Sequence, residues 1–136
     1  MARILGLDVG DRWIGVALSD PEGILATPLT IIDLNEEKTD MAAIIDIVNE
    51  KQVGRIIVGL PCLMDGSVGQ QAEKVIAFAR ELGNHTDVPV DFRDETLSTV
   101  SAKRLMQGGR KKSGNRRDDA IAAALVLQDY LEERIS

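Results

Sequence analysis

The sequence predicts an α/β domain built on a five-stranded mixed sheet, three antiparallel strands then two parallel ones, with helices on both faces. Three observations carry this reading. Two apolar runs of alternating character, 3–9 and 12–19, flank the very short connection Gly10-Asp11, as in an antiparallel hairpin. A continuous β-branched run, Arg55-Ile-Ile-Val-Gly59, reads as a strand buried on both sides. Helical patterns precede and follow that run, so the later strands join through crossovers, and crossover connections make neighbouring strands parallel.

Each element follows from local chemistry. A third strand-like run, Ile24 to Ile32, comes after the turn signal Asp20-Pro21-Glu22-Gly23. From about Thr39 to Gln52, residues Met41, Ile44, Ile45, Ile47 and Val48 recur at helical spacing on one face. After the strand at 55–59, Gly59 to Gly69 breaks all periodicity. A helix is expected from about Gln70 to Leu82, with Ala72, Val75, Ile76, Ala79 and Leu82 inward and Gly83 as its stop. Val88-Pro-Val-Asp-Phe-Arg93 reads as the fifth strand. Ser98 or Thr99 can cap a helix running to about Gln107, closed by Gly108-Gly109, and a final helix spans about Asp118 to Glu133. The expected order is β-β-β-α-β-α-β-α-α. In such a sheet the functional crevice lies at the carboxyl ends of the parallel strands.

Length and composition bound the function. A chain of 136 residues is one domain, 1–136, large enough for a core without disulfide or metal staples. Aromatics are 3% of the chain, so that core is aliphatic. Cys62 is the single cysteine and His85 the single histidine, which excludes an internal disulfide and a Cys/His zinc site. Asp8 and Asp11 interrupt what would be a secretory apolar stretch, and no apolar run approaches the roughly 18 residues of a membrane span. A soluble, cytoplasmic protein with no membrane partner is the expectation. The net charge of −6 is unevenly spread. Lys103, Arg104, Arg110, Lys111, Lys112, Arg116 and Arg117 fall in one stretch without an acidic residue. A basic patch on an acidic body suits contact with phosphates, although a solvated loop has the same composition.

The acidic residues supply the chemistry. Asp8 interrupts an apolar strand, and burying an ionised carboxylate costs several kcal/mol unless it is paired, hydrogen-bonded or bound to metal. Glu95 lies just past the fifth strand, and Asp118 and Asp119 open the last helix. Strand ends and a helix start can converge at one edge of this kind of sheet. Three carboxylates brought together repel one another unless a cation neutralises them, and oxygen donors alone favour Mg²⁺ or Mn²⁺. Two such ions roughly 4 Å apart can hold the attacking water and the leaving oxygen of a phosphodiester in line. Simpler readings stay open: Asp8 as a hydrogen-bonded residue shaping the hairpin, Glu95 as a loop charge, and Asp118 or Asp119 as a helix cap. Adjacent helical residues point about 100° apart, so one of that pair at most aims at a shared ion. Small residues at 122 and 123 let the helix pack close to the sheet and favour Asp119.

These segments together resemble the YqgF family, small bacterial proteins described as pre-16S rRNA nucleases or Holliday-junction-resolvase-like proteins, with an RNase H-like fold. The resemblance is carried by Leu7-Asp8-Val9-Gly10 through Gly15-Val-Ala-Leu-Ser-Asp20, by Gly59-Leu-Pro through Asp65-Gly66 to Gln71-Ala72, by Asp94-Glu95 with Leu97-Ser98-Thr99, and by Asp119-Ala-Ile-Ala-Ala123 with Leu127-Gln128-Asp129-Tyr130-Leu131. It implies that Asp8, Glu95 and Asp119 are the catalytic, metal-binding carboxylates and that the cofactor is one or two Mg²⁺ or Mn²⁺ ions. It implies a cut of structured nucleic acid, with 5′-end processing of pre-16S rRNA in ribosome biogenesis as the cellular task. Arg110, Lys111, Lys112, Arg116 and Arg117 would then meet phosphates, and Gly59 and Gly66 would let a nucleic-acid backbone approach. Two positions depart from the family: Thr96 stands where Arg is common, and Asp118 where an apolar residue is usual.

The alternatives are a Holliday junction resolvase in DNA recombination, which would be expected to act as a homodimer rather than a monomer, and a catalytically inactive RNA-binding module. The Asp-x-Gly of Asp8 to Gly10 also resembles the phosphate loop of actin-like and sugar kinases. Those need two lobes closing over a nucleotide, and the length here allows one.

Overall fold

The structure is a computed structural model that describes residues 2–10, 13–33, 40–62, 70–96 and 116–135; at 40, 61–62, 70–71, 94–96, 116–119 and 134–135 it describes the backbone alone. Along the chain run β1 (Arg3–Val9), β2 (Trp13–Ser19), β3 (Ala26–Asp33), α1 (Asp40–Glu50), β4 (Val53–Cys62), α2 (Gln70–Gly83), β5 (Val90–Thr96) and α3 (Arg116–Ile135). The five strands form one sheet in the order β3-β2-β1-β4-β5. β1 pairs antiparallel with β2, as does β2 with β3, whereas β4 runs parallel to both β1 and β5. The expected mixed sheet, with its antiparallel meander and two parallel additions, is therefore present.

Side-chain alternation sorts the sheet into two cores. Leu5 and Leu7 of β1, Ile14, Val16 and Leu18 of β2, and Ile56 and Val58 of β4 join Ile44 and Val48 of α1 and Val75, Ala79 and Leu82 of α2. On the opposite face Ile4, Ala17 and Ile57 join Ala123, Ala124, Val126, Leu127 and Leu131 of α3. Each fully buried Leu, Ile or Val contributes about 1.5–3 kcal/mol relative to exposure. No aromatic residue is among the largest fully buried side chains, in keeping with an aliphatic core. α3 lies mainly across β1, β2 and β3. Gly6 lets it come close: a Cβ there would stand 2.8 Å from the Leu127 Cβ and 3.3 Å from the Ala123 carbonyl oxygen.

Several boundaries differ from the sequence expectations, each for a physical reason. β4 continues through Cys62, where the aperiodic stretch from Gly59 suggests a loop. Its pairing with β5 persists at Pro61↔Glu95 and Cys62↔Thr96, while its pairing with β1 ends at Leu7↔Val58. Pro61 thus occupies a stretch open on one side, where the ring is tolerated in a strand. β5 is shifted to 90–96, so Glu95 lies within the strand and not beyond it. Between Val16 and Ala17 the register with β3 slips past Leu29, and this bulge spoils the alternation of the third run. α1 ends at Glu50, and Gln52 adopts a left-handed φ of 57° as the chain turns into β4. Its carbonyl accepts the N–H of Arg3 (3.2 Å). Gly83 does close α2, but Gly23 is the glycine with positive φ among the described residues, so Gly83 is not a left-handed cap. The helix expected from Ser98 or Thr99 to Gln107 lies outside the described residues. No helix among the described residues is long and apolar enough to cross a membrane.

Candidate active site

Asp8 is the sixth residue of β1, half-buried, with Gly15 directly opposite on β2. Leu5 and Leu7 face the core of α1 and α2, and Ile4 and Gly6 face α3. Alternation therefore puts Asp8 on the α3 side, near the carboxyl end of its strand. The hairpin closes just beyond it. Gly10 donates its N–H to the Trp13 carbonyl (2.9 Å), and a Cβ on Gly10 would lie 3.0 Å from that oxygen. The glycine of Asp-Val-Gly is needed there for a close backbone approach.

The carboxyl ends of β1, β4 and β5 share one edge, because the three strands are parallel. On β5, residue 95 pairs with Pro61 and belongs to the same alternate set as Arg93, which faces α3 through an ion pair with Glu133 (2.8 Å). The direction of α3 follows from its seats. Leu127 and Ala123 lie over Gly6, while Gln128 meets the start of β3, which lies beside the amino end of β1. Higher residue numbers on α3 thus go toward the amino end of β1. Residue 119 lies one turn before Ala123 in α3, and residue 95 pairs with Pro61 near the carboxyl ends of β4 and β5. Of the three candidate carboxylates, Asp8 is described with its side chain. Among the described residues no group of three or more metal-binding side chains is assembled.

The remaining expected contacts divide. Arg116 and Arg117 open α3, while Arg110, Lys111, Lys112, Lys103, Arg104 and Gly66 lie outside the described residues. Gly59 is buried beneath α3, where a Cβ would meet the two Val126 methyl groups at 3.2 and 3.3 Å, so its missing side chain serves helix packing. His85 is exposed, as expected, with Nδ1 2.9 Å from the Glu81 carbonyl oxygen.

The scaffold holds residues that periodicity does not flag. Gln128 Oε1 accepts the Ala26 N–H (2.8 Å) and its Nε2 donates to the Ile24 carbonyl (3.0 Å), tying the β2–β3 turn to α3. The buried Ser19 hydroxyl accepts the Ile4 N–H (2.9 Å) and donates to the Asp20 carbonyl (2.9 Å). Both fix the position of α3 and β1, and hence of the edge that carries Asp8. Arg93 carried a signal in the sequence, as an alternate-set neighbour of residue 95, but a strand placed at 88–93 hides it.

A family model described as RuvX, Holliday junction resolvase, matches residues 2–133. A relative from Moorella thermoacetica is 46% identical over 132 residues, spanning 96% of this chain and 94% of its own, and bears the name "Putative pre-16S rRNA nuclease". One from Dehalococcoides mccartyi, with the same name, is 45% identical over 125 residues, 92% of this chain and 94% of its own. Among solved structures, T. thermophilus RuvC in complex with a Holliday junction substrate superposes with a TM-score of 0.58 at 12% identity, covering 100% of this chain and 97% of that one. The fowlpox virus Holliday junction resolvase gives 0.54 at 14% identity, covering 98% and 99%. At these identities the two structures share the fold with this chain, and the expected RNase H-like architecture is borne out.

Proposed function

The chain belongs to the RuvX family, the YqgF family of the sequence resemblance, and from that premise we propose that it is a divalent-metal-dependent endonuclease that trims the 5′ end of pre-16S rRNA. The observation that supports the reading is the half-buried Asp8 on the α3 side of β1, near the carboxyl end of its strand. The donor chemistry fits Mg²⁺ or Mn²⁺, since Asp8, Glu95 and Asp119 offer hard carboxylate oxygens without nitrogen or sulfur. Bound there, the ion supplies charge neutralisation at the phosphate and a lowered pKa for the attacking water.

The chain's own residues do the rest. Asp8 is held on a strand between two packed cores, so its carboxylate is positioned before substrate arrives. Arg116 and Arg117, in the first turn of α3, add fixed positive charge to the partial charge of a helix N-terminus, which favours a phosphate. Arg110, Lys111 and Lys112 add to the positive charge available to the substrate's phosphates. Such contacts read phosphates and carry no sequence information.

The test is cleavage of a pre-16S rRNA 5′-end fragment and of a synthetic four-way DNA junction, side by side, in Mg²⁺ and in Mn²⁺. Asp8→Asn is expected to keep its melting temperature and lose about 10²–10³-fold in cleavage, the several kcal/mol that ion-stabilised charge contributes. Undiminished cleavage by Asp8→Asn would overturn the mechanism. Preference for the junction would favour the resolvase reading that the family description carries. Salt-sensitive RNA binding with no cleavage of either substrate would favour a binding module, with Thr96 and Asp118 as the departures that account for it.

A further inference from the structure

At the amino end of β1, away from Asp8, a cleft of about 350 Å³ opens between that strand, the end of α1 and the start of β3. Its volume falls in the range of small-molecule sites, roughly 300–1,000 Å³. Arg3 opens β1 in the same alternate set as Leu5 and Leu7, so its side chain leaves the strand on the face of α1 and α2. Lys51 directly follows α1, and the two segments are tied by the bond from the Arg3 N–H to the Gln52 carbonyl. Both cations line the cleft. Leu18, Pro28 and the exposed Leu29 give it an apolar wall, and Thr27 adds a hydroxyl. Asp8 is five residues further along β1, roughly 16 Å away, and faces α3 instead. The cleft is therefore separate from the candidate active site.

Its charge points to a ligand. Arg3 and Lys51 are half-buried, and neither side chain has an ion pair or hydrogen bond among the described residues. Acidic residues outnumber basic ones 22 to 16 in this chain, so carboxylate partners are not scarce. Asp20 also lines the cleft, but its carboxylate accepts the Ile24 and Leu25 N–H groups and closes its own turn. The carbonyl end of α1 favours one nearby cation, and Lys51 supplies it. Arg3 doubles the charge in the same cleft. Two cations and a hydroxyl suit a phosphate monoester, which carries about −1.5 to −2 at neutral pH and three strong acceptor oxygens. The leucine and proline wall suits an organic body attached to that phosphate. We infer that this cleft is a second ligand site, which holds a nucleotide-sized phosphate monoester with its phosphate at Arg3 and Lys51 and its body against Pro28 and Leu29. The site goes beyond the nuclease reading and does not depend on it. Two sources share the chemistry, a free mononucleotide and the 5′-phosphate end of an RNA strand.

Titration followed by amide NMR shifts locates such a ligand directly. Isotope-labelled protein in EDTA, where no divalent ion can hold a phosphate at Asp8, is titrated with AMP, with adenosine and with inorganic phosphate. AMP is expected to saturate with a Kd of about 1 mM and to move the amides of Arg3, Ser19, Thr27 and Lys51. Inorganic phosphate is expected to bind the same amides more weakly, and adenosine to leave them in place. Arg3→Gln and Lys51→Gln, with folding checked by melting, are each expected to weaken AMP about 10-fold, equivalent to ~1.4 kcal/mol. Lys51→Arg keeps the charge and is expected to keep the binding. A 5′-phosphorylated RNA oligonucleotide that displaces AMP, where its 5′-hydroxyl twin does not, would make an RNA end the source. AMP that stays bound beside both would make it the free nucleotide. AMP affinity unchanged in both Gln variants would overturn the site, as would AMP shifts confined to residues 110–117 or no saturation by about 10 mM AMP. Cleavage measured without AMP is expected to be unchanged in Lys51→Gln, so failure of the cleft leaves the nuclease reading standing.

Discussion

The Asp20 carboxylate accepts the backbone N–H groups of Ile24 (2.7 Å) and Leu25 (3.0 Å), folding the β2–β3 turn around one side chain. These bonds, from Leu25 first and then Ile24, hold its carboxyl below the usual aspartate range. A depressed folded pKa gives stability that is present above the unfolded value, about 3.9, and is lost as pH falls through the folded one. Asp20→Asn keeps the shape of the side chain and removes the charge. In urea melts, wild type is expected to be the more stable protein at pH 7, with the difference shrinking below about pH 4. A difference that stays constant from pH 7 to pH 3 would show that the charge is not what holds the turn. Single residues also show where sequence reading stops. Asp8 is legible because a carboxylate in an apolar strand is costly wherever its partners lie. Gln128 is not, since its partners Ala26 and Ile24 are about a hundred residues away in the chain.

The element that matters most for the proposed site is α3, since its seat on β1 decides where residue 119 falls. The small residues at 122 and 123 already suggest a close approach, and Ala122 and Ala123 are both buried. What the sequence hides is the matching feature on the strand: Gly6 reads as a weak point in β1 until the helix above it is seen. Gly6→Val would drive a branched side chain toward the Leu127 Cβ, which already stands 2.8 Å from the modest Cβ of an alanine. The helix must lift, at a cost of about 1–3 kcal/mol. Melting is expected to register that loss. Cleavage is expected to fall further than stability does when both are measured well below the melting temperature. Full activity in a folded Gly6→Val protein would mean that α3 does not carry a site residue. The hairpin of β1 and β2 was legible because its alternation is clean. The ends of β4 and β5 were not, because Pro61 and Pro89 are breakers by local rule, while strand pairing across β4 and β5 is a tertiary fact.

At the scale of the whole molecule, charge and architecture are arranged separately. The mixed sheet with helices on both faces follows from apolar patterning and was legible in the sequence, whereas the strand order β3-β2-β1-β4-β5 is a tertiary fact. The charge pattern is separate from that: a chain of net charge −6 gathers seven basic residues between 103 and 117, the last two of them in the first turn of α3. Periodicity says nothing about where such a stretch sits in space, so the sequence gives its composition and not its geometry. An acidic body with a local basic stretch should hold nucleic acid almost wholly by phosphate contact, and such binding weakens with salt by counterion release. For single-stranded RNA the slope of log K against log salt is about −0.7 per phosphate neutralised, or about −3.5 for the five cations Arg110, Lys111, Lys112, Arg116 and Arg117. Replacing Arg110, Lys111 and Lys112 together by Ala is expected to flatten that slope by about 2 while leaving the melting temperature unchanged. Fluorescence anisotropy from 50 to 300 mM KCl measures it. A slope that does not move would take the basic stretch out of the interface and leave binding to the sheet edge around Asp8, where a few ordered groups would have to supply what the cations do not.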